Sequence, residues 1–255
     1  GKIRFADVPI VGHAKDVIEE LNAELAKDLK GKKPDYAEWW KFLNGLLERY
    51  PLGYDQPDDA KLAPQYVIER IGALSGPEAI YAAGVGQHQM WSAQFVKYER
   101  PNSWLNSGGA GTMGYAVPAA MGAKVAEPER LVWAIDGDGC FQMTNQELAT
   151  CTINNIPIKV AIINNSSLGM VRQWQQMFFD KRYSFTELDN PEFTKIAEAY
   201  HIKSQKVSER ADLKEAIEDM FIHDGPFFLE VVVEKEDNVF PMIATGCSVE
   251  EVRLS

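Results

Sequence analysis

The sequence has few cysteines and a shortage of basic residues, and both features exclude classes of protein. Only Cys140, Cys151 and Cys247 are cysteine, and no two of them have CxxC spacing. Three unclustered cysteines argue against a disulfide framework and fit a reducing compartment. Lys and Arg total 26 against 37 Asp and Glu, a formal net charge of −11. Nucleic acids and anionic membrane surfaces bind basic faces, so we expect neither as a partner.

Long apolar runs are also missing. A membrane-spanning helix needs roughly 18 or more consecutive apolar residues, and no segment of this sequence approaches that length. The composition, 45% hydrophobic and 25% charged, is ordinary for a globular protein. A chain of 255 residues predicts one or two domains with a sizeable buried core.

The first third of the chain contains two amphipathic patterns separated by a polar break. Apolar residues at helical spacing predict a helix that ends near Leu29, and residues 36–49 predict a second helix with two tryptophans, which we interpret as packing residues. The break at residues 31–34 is a candidate domain boundary. The chain begins with Gly1, and we expect this start to lie inside a longer protein.

The rest of the chain alternates short apolar runs with helical patterns. Near-continuous apolar runs separated by helices predict a parallel sheet that is covered on both faces. The sequence therefore predicts an α/β fold, doubly wound, with a mostly parallel sheet of six strands. The six runs are residues 79–83, 103–105, 131–135, 158–163, 202–207 and 227–233.

Four of these runs are followed by small residues together with carboxylate or amide groups. In doubly wound sheets the ligand lies beyond the carboxyl ends of the strands. Glycine lets the backbone approach a ligand closely, and helix N-termini offer N–H groups to an anion. These segments together predict a cradle for a diphosphate. They are residues 84–88, 106–114, 136–140 and 164–169.

One of these segments contains a dinucleotide-binding pattern. Gly109, Gly111 and Gly114 match G-x-G-x-x-G, and Asp136 ends the next run about 20 residues later. By itself, this pattern predicts a nicotinamide-dependent oxidoreductase, which remains an alternative.

A second pattern predicts a cation site. Gly137-Asp138-Gly139 is separated from Asn164-Asn165 by the 24 residues 140–163. A carboxylate at one strand end and an amide at the next supply two hard oxygen ligands. Mg²⁺ prefers oxygen ligands and usually keeps substrate phosphate and water in its shell.

At these motifs the sequence resembles the acetohydroxyacid synthase (acetolactate synthase) family, in its catalytic subunit. GDG followed by NN at this separation is the thiamin diphosphate signature. The likeness extends over nearly the whole chain, with Ala110 as a departure where a larger apolar residue is expected. It is carried by GVGQHQMW at residues 84–91, LNSGG at 105–109, GTMGY at 111–115 and LGMVRQWQ at 168–175.

The resemblance implies roles for particular residues. Asp138 and Asn165 are similar to side-chain ligands of Mg²⁺, and Ser167 to the residue whose backbone carbonyl completes the set. Met170, Val171 and Trp174 resemble the wall of a substrate pocket. The implied cofactor contacts are Val85, Gly86, Gln87, His88, Gly111, Met113, Gly137, Asp138, Gly139, Cys140, Asn165, Gly169 and Met170.

Each of these assignments has an ordinary structural alternative. Asp138 has the chemistry of a helix N-cap, and Asn164-Asn165 of a turn pair. A lone His88 is often a packed or surface residue. Met113 and Trp174 are residue types that commonly fill a core.

The implied activity is decarboxylation of pyruvate and ligation of the product to a second 2-keto acid, in branched-chain amino-acid synthesis. Alternatives are another thiamin diphosphate carboligase or decarboxylase, and a fragment that binds the cofactor without turnover. By this resemblance, residues 1–33 are the tail of a central domain with its linker. Residues 34–255 are the domain that binds thiamin diphosphate and Mg²⁺.

Other parts of the implied enzyme are expected outside this chain. The resemblance places the activating Glu in the amino-terminal domain of a partner subunit, so no catalytic residue is assigned here. It places FAD in the central domain, and we expect this chain alone to be nearly inactive. The implied assembly is a homodimer or tetramer with the active site at the subunit interface and a regulatory small subunit. We expect a bacterial cytoplasmic location, with a plastid as the alternative.

Overall fold

The computed structural model describes residues 5–56 and 61–254. The chain forms two compact units, Gly1–Gly53 and Tyr54–Ser255. The boundary predicted between residues 33 and 34 concerns the domains of a longer protein, and it stays a prediction.

The first unit contains two helices, α1 (Ala14–Leu29) and α2 (Ala37–Arg49), which confirms both predicted helices. Lys30, with φ 48°, ends α1 in the left-handed conformation. Neither helix contains a buried residue. Trp39 and Phe42 stack on each other with ring centroids 5.5 Å apart, yet Trp39 remains 59% exposed. Within the described residues, no buried contact therefore supports the interpretation of the two α2 tryptophans as packing residues.

The second unit is built on a six-stranded sheet in which every pair of neighbours is parallel. The strand order is β2-β1-β3-β4-β6-β5. All six predicted runs form strands. They are β1 (Ile80–Ala83), β2 (Trp104–Asn106), β3 (Val132–Gly137), β4 (Lys159–Asn164), β5 (Lys203–Val207) and β6 (Phe227–Val232).

Helix α3 (Pro64–Ser75) precedes β1, and the other helices of this unit connect successive strands along the chain. They are α4 (Gln87–Phe95), α5 (Ala116–Ala126), α6 (Asp138–Phe141), α7 (Leu148–Ile153), α8 (Gly169–Phe178), α9 (Phe193–Ala199) and α10 (Arg210–Ile222), with a 3₁₀ turn at Asn145–Glu147. A two-stranded antiparallel sheet near the carboxyl end pairs β7 (Met242–Ile243) with β8 (Val252–Arg253).

The sheet is covered on both faces, as predicted. Successive side chains of a strand point to opposite faces: Trp133 and Ile135 belong to one buried cluster, and Val132 and Ala134 belong to the other. Helices α3, α4 and α10 contribute to the first cluster, and α5, α7 and α9 to the second. The predicted doubly wound α/β fold is therefore confirmed.

One helix is missing from the sequence prediction, and another begins later than predicted. Helix α3 was not predicted, although Pro64 at its first position and the buried Val67, Ile68 and Ile71 are a helical signal. The helical pattern of residues 113–126 predicts that helix α5 begins at residue 113. It begins at Ala116, because Gly114 adopts φ 83°, which an α-helix cannot accommodate.

The strand order places a crevice at one end of the sheet. From β1 the chain moves to β2 on one side, and β3 then lies on the other side of β1. Adjacent loops diverge at such a reversal and leave a ligand crevice at the carboxyl ends of the strands. Within residues 5–56 and 61–254, no helix has both the length and the apolar character needed to cross a membrane.

Candidate functional site

A cavity of about 240 Å³ lies at the carboxyl ends of β1, β3 and β4. The segments that follow these strands form its walls, including the first turns of α4, α6 and α8. Its lining residues are Val85, Gly86, Gln87, His88, Gln89, Met90, Trp91, Met113, Gly137, Asp138, Gly139, Cys140, Ile163, Asn165, Ser167, Leu168, Gly169, Met170 and Val171.

All but two of the predicted site residues line this cavity. Gly111 is exposed, in a loop that reaches the cavity only at Met113. Trp174 lies further along α8, where its ring packs against Phe178 with centroids 5.0 Å apart. Trp174 is not a lining residue, and its place in an acceptor pocket stays a prediction. The lining residues that sequence reasoning missed are Gln89, Met90, Trp91, Ile163 and Leu168, each of which lies close in sequence to a predicted one.

Asp138 is the first residue of α6 and is only 2% exposed. Loss of hydration raises the pKa of its carboxyl to about 6. Asn190 opposes this shift, because its Nδ2 donates a 2.7 Å hydrogen bond to Asp138 Oδ2. A nearby cation would favour the ionised form further.

Asn165 and Ser167 follow the end of β4 and are held by hydrogen bonds. The Ser167 backbone N–H donates to Asn165 Oδ1 at 3.2 Å, and Asn165 Nδ2 donates to Gln87 Oε1 at 3.3 Å. The Ser167 hydroxyl donates to the Thr186 carbonyl at 3.0 Å. The Asn165 side chain is therefore fixed with its amide nitrogen toward Gln87.

These residues could together hold a hard cation. The Asp138 carboxylate, the Asn165 amide oxygen and the Ser167 backbone carbonyl belong to residues that line one cavity. All three are oxygen donors, which Mg²⁺ and Ca²⁺ prefer.

Glycines shape the cavity wall. A Cβ on Gly137 would lie 2.8 Å from two atoms of the His88 ring, and one on Gly139 would lie 2.8 Å from Leu168 Cδ2. Side chains at these positions would therefore collide with residues that line the cavity. Gly86, with φ 147°, precedes α4 in a conformation that other residues rarely adopt.

A second buried cluster lies at the base of the cavity. His88 Nε2 is 3.5 Å from Asp136 Oδ1, and potential ligand atoms of His88, Asp136 and Cys140 lie within 4.8 Å of one another. His88 Nε2 and Asp136 Oδ2 have no hydrogen-bond partner in the part of the chain that the structure describes. A bound ligand or an ordered water molecule would satisfy such atoms.

Cys140 acts here as a hydrogen-bond acceptor. The backbone N–H groups of Val85 and Gly114 point at its sulfur, at 3.3 and 3.0 Å. Burial, reinforced by the Asp136 carboxylate, raises the pKa of the Cys140 thiol to about 12. The thiol is therefore neutral near pH 7 and unsuited to act as a nucleophile.

The first part of the dinucleotide pattern lies outside the cavity, whereas Met113 lines the cavity and Gly114 is buried beside Cys140. Residues 108–112 are exposed and follow β2, which is an edge strand. The loop is held by its own turn, in which Ser107 accepts hydrogen bonds from the N–H groups of Gly111 and Thr112. A dinucleotide motif opens a helix directly, whereas α5 begins only at Ala116.

Comparison with known proteins identifies the family. Residues 84–231 match the model of the thiamine pyrophosphate enzyme, C-terminal TPP binding domain. The chain belongs to this family. The match begins directly after β1, ends within β6 and contains all of the cavity-lining residues. A thiamin diphosphate-binding domain is therefore established, and the nicotinamide alternative has no support.

Curated relatives agree with the resemblance found in the sequence. The chain is 52% identical over 259 residues to the acetolactate synthase of Mycobacterium bovis. It is 49% identical to the acetolactate synthase large subunit of Corynebacterium glutamicum and 40% identical to the chloroplastic acetolactate synthase 2 of Nicotiana tabacum. These alignments cover 99% of this chain but only 42%, 41% and 39% of those proteins. The predicted family resemblance is confirmed, and the chain spans less than half the length of these relatives.

Proposed function

We propose that this chain forms the Mg²⁺–thiamin diphosphate-binding part of an acetohydroxyacid synthase large subunit. The observation that carries the proposal is the meeting of Asp138, Asn165 and Ser167 in one glycine-lined cavity of a thiamin diphosphate-binding domain. The names of the relatives support the enzyme class.

In this proposal the chain binds the cofactor through its diphosphate. Asp138, the Asn165 amide oxygen and the Ser167 carbonyl hold Mg²⁺. The glycines at 137, 139 and 169 let His88, Leu168, Gln87 and Asn165 pack close to the backbone around the proposed diphosphate site. The remaining cofactor contacts are Val85, Gly86, Gln87, His88, Met113, Cys140 and Met170, which line the cavity, together with Gly111 in the adjoining loop.

The proposed reaction is decarboxylation of pyruvate, followed by ligation to a second 2-keto acid. Bound thiamin diphosphate supplies the electron sink for loss of CO₂, and the protein positions the reactants and excludes water. Apolar side chains on the cavity wall, including Met90, Met113 and Leu168, suit that role. Met170, Val171 and Trp174 on α8 form the proposed wall of the acceptor pocket.

The rest of the enzyme is proposed to lie outside this chain. It comprises the activating Glu from a partner subunit's amino-terminal domain, the FAD site of a central domain, and a regulatory small subunit. The assembly is a dimer or tetramer with the site at a subunit interface. A relative named as a large subunit supports the small-subunit proposal. Two of the relatives are bacterial, and the proposed location is the bacterial cytoplasm. A chloroplastic relative keeps the plastid as the alternative.

The test is calorimetric titration of the full chain with thiamin diphosphate, with and without Mg²⁺. Wild-type chain should bind the cofactor in a Mg²⁺-dependent manner and should not bind NAD. Asp138→Ala should abolish the Mg²⁺ dependence, because it removes a ligand atom rather than core volume. Asp212→Ala, a change at an exposed position on α10, should behave as wild type. Unchanged affinity in Asp138→Ala, or binding of NAD in place of thiamin diphosphate, would refute the proposal.

A further inference from the structure

A row of hydrogen-bonded and ion-paired polar side chains, three of them buried, connects the proposed cation site with the far edge of the sheet. It runs from Asp138 through Asn190, Asn164 and Glu230 to Lys206. We propose that Asn190 is a positioning residue, which orients the Asp138 carboxylate for Mg²⁺ and is itself held by Asn164 and Glu230. This inference rests on the proposed function and assigns roles to Asn190 and Glu230, which no sequence motif marks.

Asn190 uses its whole amide group in this arrangement. Its Nδ2 donates to Asp138 Oδ2 at 2.7 Å and to Asn164 Oδ1 at 3.1 Å. Its own oxygen accepts from Gln142 Nε2 at 3.1 Å, and Gln142 also donates to the Asp138 carbonyl at 3.2 Å. Donor and acceptor ends are both occupied, so the orientation of the amide is defined.

The contact with Asp138 restrains the carboxylate. A hydrogen bond to Oδ2 limits rotation of the carboxylate about the Cβ–Cγ bond. The bond from Asn190 does not occupy the other carboxylate oxygen. Mg²⁺ requires nearly ideal octahedral geometry. A ligand carboxylate held by an outer hydrogen bond meets that requirement with less reorganisation than a freely rotating one.

Asn164 continues the row into the sheet. It is the last residue of β4, and its Nδ2 donates to Glu230 Oε1 on β6 at 2.7 Å. The Ser166 backbone N–H donates to Asn164 Oδ1 at 3.0 Å, beside the bond from Asn190. Asn164 thus connects the cation-site loop to the neighbouring strand.

Burial of the Glu230 carboxylate is energetically unfavourable, because the group loses its hydration. Its buried position therefore points to a function beyond folding. Its side chain is 1% exposed, and its charge is met by Lys206 Nζ at 3.0 Å on the adjacent β5. Glu230 Oε2 has no hydrogen-bond partner among the described residues. Apolar residues often replace buried ion pairs without loss of stability, so folding alone does not explain this carboxylate.

The position of Asn190 also suits an orienting role. It directly precedes Pro191, and the residue before a proline is restricted to extended backbone conformations. Asn190 is half-buried at the start of the segment that leads into α9. The backbone that carries the amide therefore has few conformations to lose when the hydrogen bonds form.

The test compares two cations in the full chain at a saturating concentration of thiamin diphosphate. The measured quantity is the Mg²⁺ or Ca²⁺ concentration at half-maximal cofactor binding. In Asn190→Ala the Mg²⁺ midpoint should rise about 10- to 100-fold, the usual effect of removing an outer-shell partner. The Ca²⁺ midpoint should rise by a smaller factor, because Ca²⁺ accepts looser geometry.

A merely structural role for Asn190 gives a different result. In that case, Asn190→Ala would lower the melting temperature and raise the Mg²⁺ and Ca²⁺ midpoints by the same factor. The control is Asn154→Ala. This exposed amide donates to the Thr150 carbonyl on its own helix, and its loss should leave both midpoints unchanged. An equal loss for both cations, or no change, overturns the inference and leaves the proposed function intact.

Glu230→Gln provides a second variant that preserves side-chain volume. It removes the charge that Lys206 meets and should raise the Mg²⁺ midpoint more than the Ca²⁺ midpoint, by less than Asn190→Ala does. If Asn190→Ala does not fold, an unchanged Mg²⁺ midpoint in Glu230→Gln overturns the inference. If the wild-type chain shows no Mg²⁺-dependent binding, the proposed function itself fails, and the inference fails with it.

Discussion

The segment after β3 and the loop after β2 have similar compositions but different surroundings. Residues 137–140 are buried between two neighbouring strand ends, and residues 108–112 are exposed at the edge of the sheet. Both contain closely spaced glycines, and each matches a known ligand-binding pattern. The difference shows that glycine spacing alone does not tell whether a segment is buried among other groups. Its place in the strand order decides whether other groups converge on it.

The largest expected contrast concerns the side chain that anchors the buried segment. Phe141 is fully buried against Phe193 and Phe228. Phe141→Ala should lower the free energy of unfolding by about 3–5 kcal/mol. Thr112→Ala in the exposed loop should change it by no more than about 0.5 kcal/mol. Urea unfolding measures both, and similar losses would mean that the two segments do not differ in packing.

Alanine substitutions at two glycines test how closely neighbouring atoms pack against the backbone at each position. A Cβ on Gly84 would overlap Asp136 Oδ1 and lie 2.7 Å from Cys140 Sγ, whereas one on Gly109 meets nothing within 4 Å. Gly84→Ala should therefore cost about 1–3 kcal/mol of stability through overpacking. Gly109→Ala should stay within about 0.5 kcal/mol of wild type by urea unfolding. If Gly84→Ala is as stable as wild type, Asp136 and Cys140 can shift to accommodate the added Cβ, and the packing argument is wrong.

Thiol reactivity should separate buried from exposed cysteines. Cys140 and Cys151 are buried, and burial raises the pKa of each thiol to about 12, whereas Cys247 is exposed. At pH 8, a chromogenic disulfide reagent should modify Cys247 rapidly in the native chain, and the other two only after denaturation. Only the thiolate reacts, so the buried thiols should be slower by roughly a thousandfold. Cys247→Ser should remove the fast phase.

The smallest expected effect is a pH dependence from Cys140. Its folded pKa, about 12, lies above its ordinary value of 9.0, so between these values the native state holds more protons than the unfolded state. Stability contributed by this thiol is complete below pH 9 and declines as the pH rises towards 12. Above pH 9, the free energy of unfolding of Cys140→Ala should fall less steeply with pH than that of wild type. The difference in slope should correspond to at most about one bound proton. Identical slopes from urea unfolding at pH 8 to 10.5 would contradict the assignment.

Much of the candidate site could be predicted because its residues are strand-end neighbours. Asp138 and Asn165 each follow an apolar run, and parallel strands bring such positions to one edge. Asn190 could not be found in this way. It follows no strand, and its only local signal is the proline after it. Its contacts with Asp138 and Asn164 depend on how the segment before α9 folds back over the sheet.

The sequence by itself determined the alternation of strands and helices, the covered parallel sheet and the two oxygen-bearing strand ends. These follow from local hydrophobic periodicity and from residues within one motif. The strand order was decided only by the tertiary structure. That order puts β2 at the edge and β6 beside β4, so Asn164 meets Glu230 across 66 residues of chain. Local patterns do not encode such contacts, because they depend on which strands pair when the whole sheet buries its apolar faces.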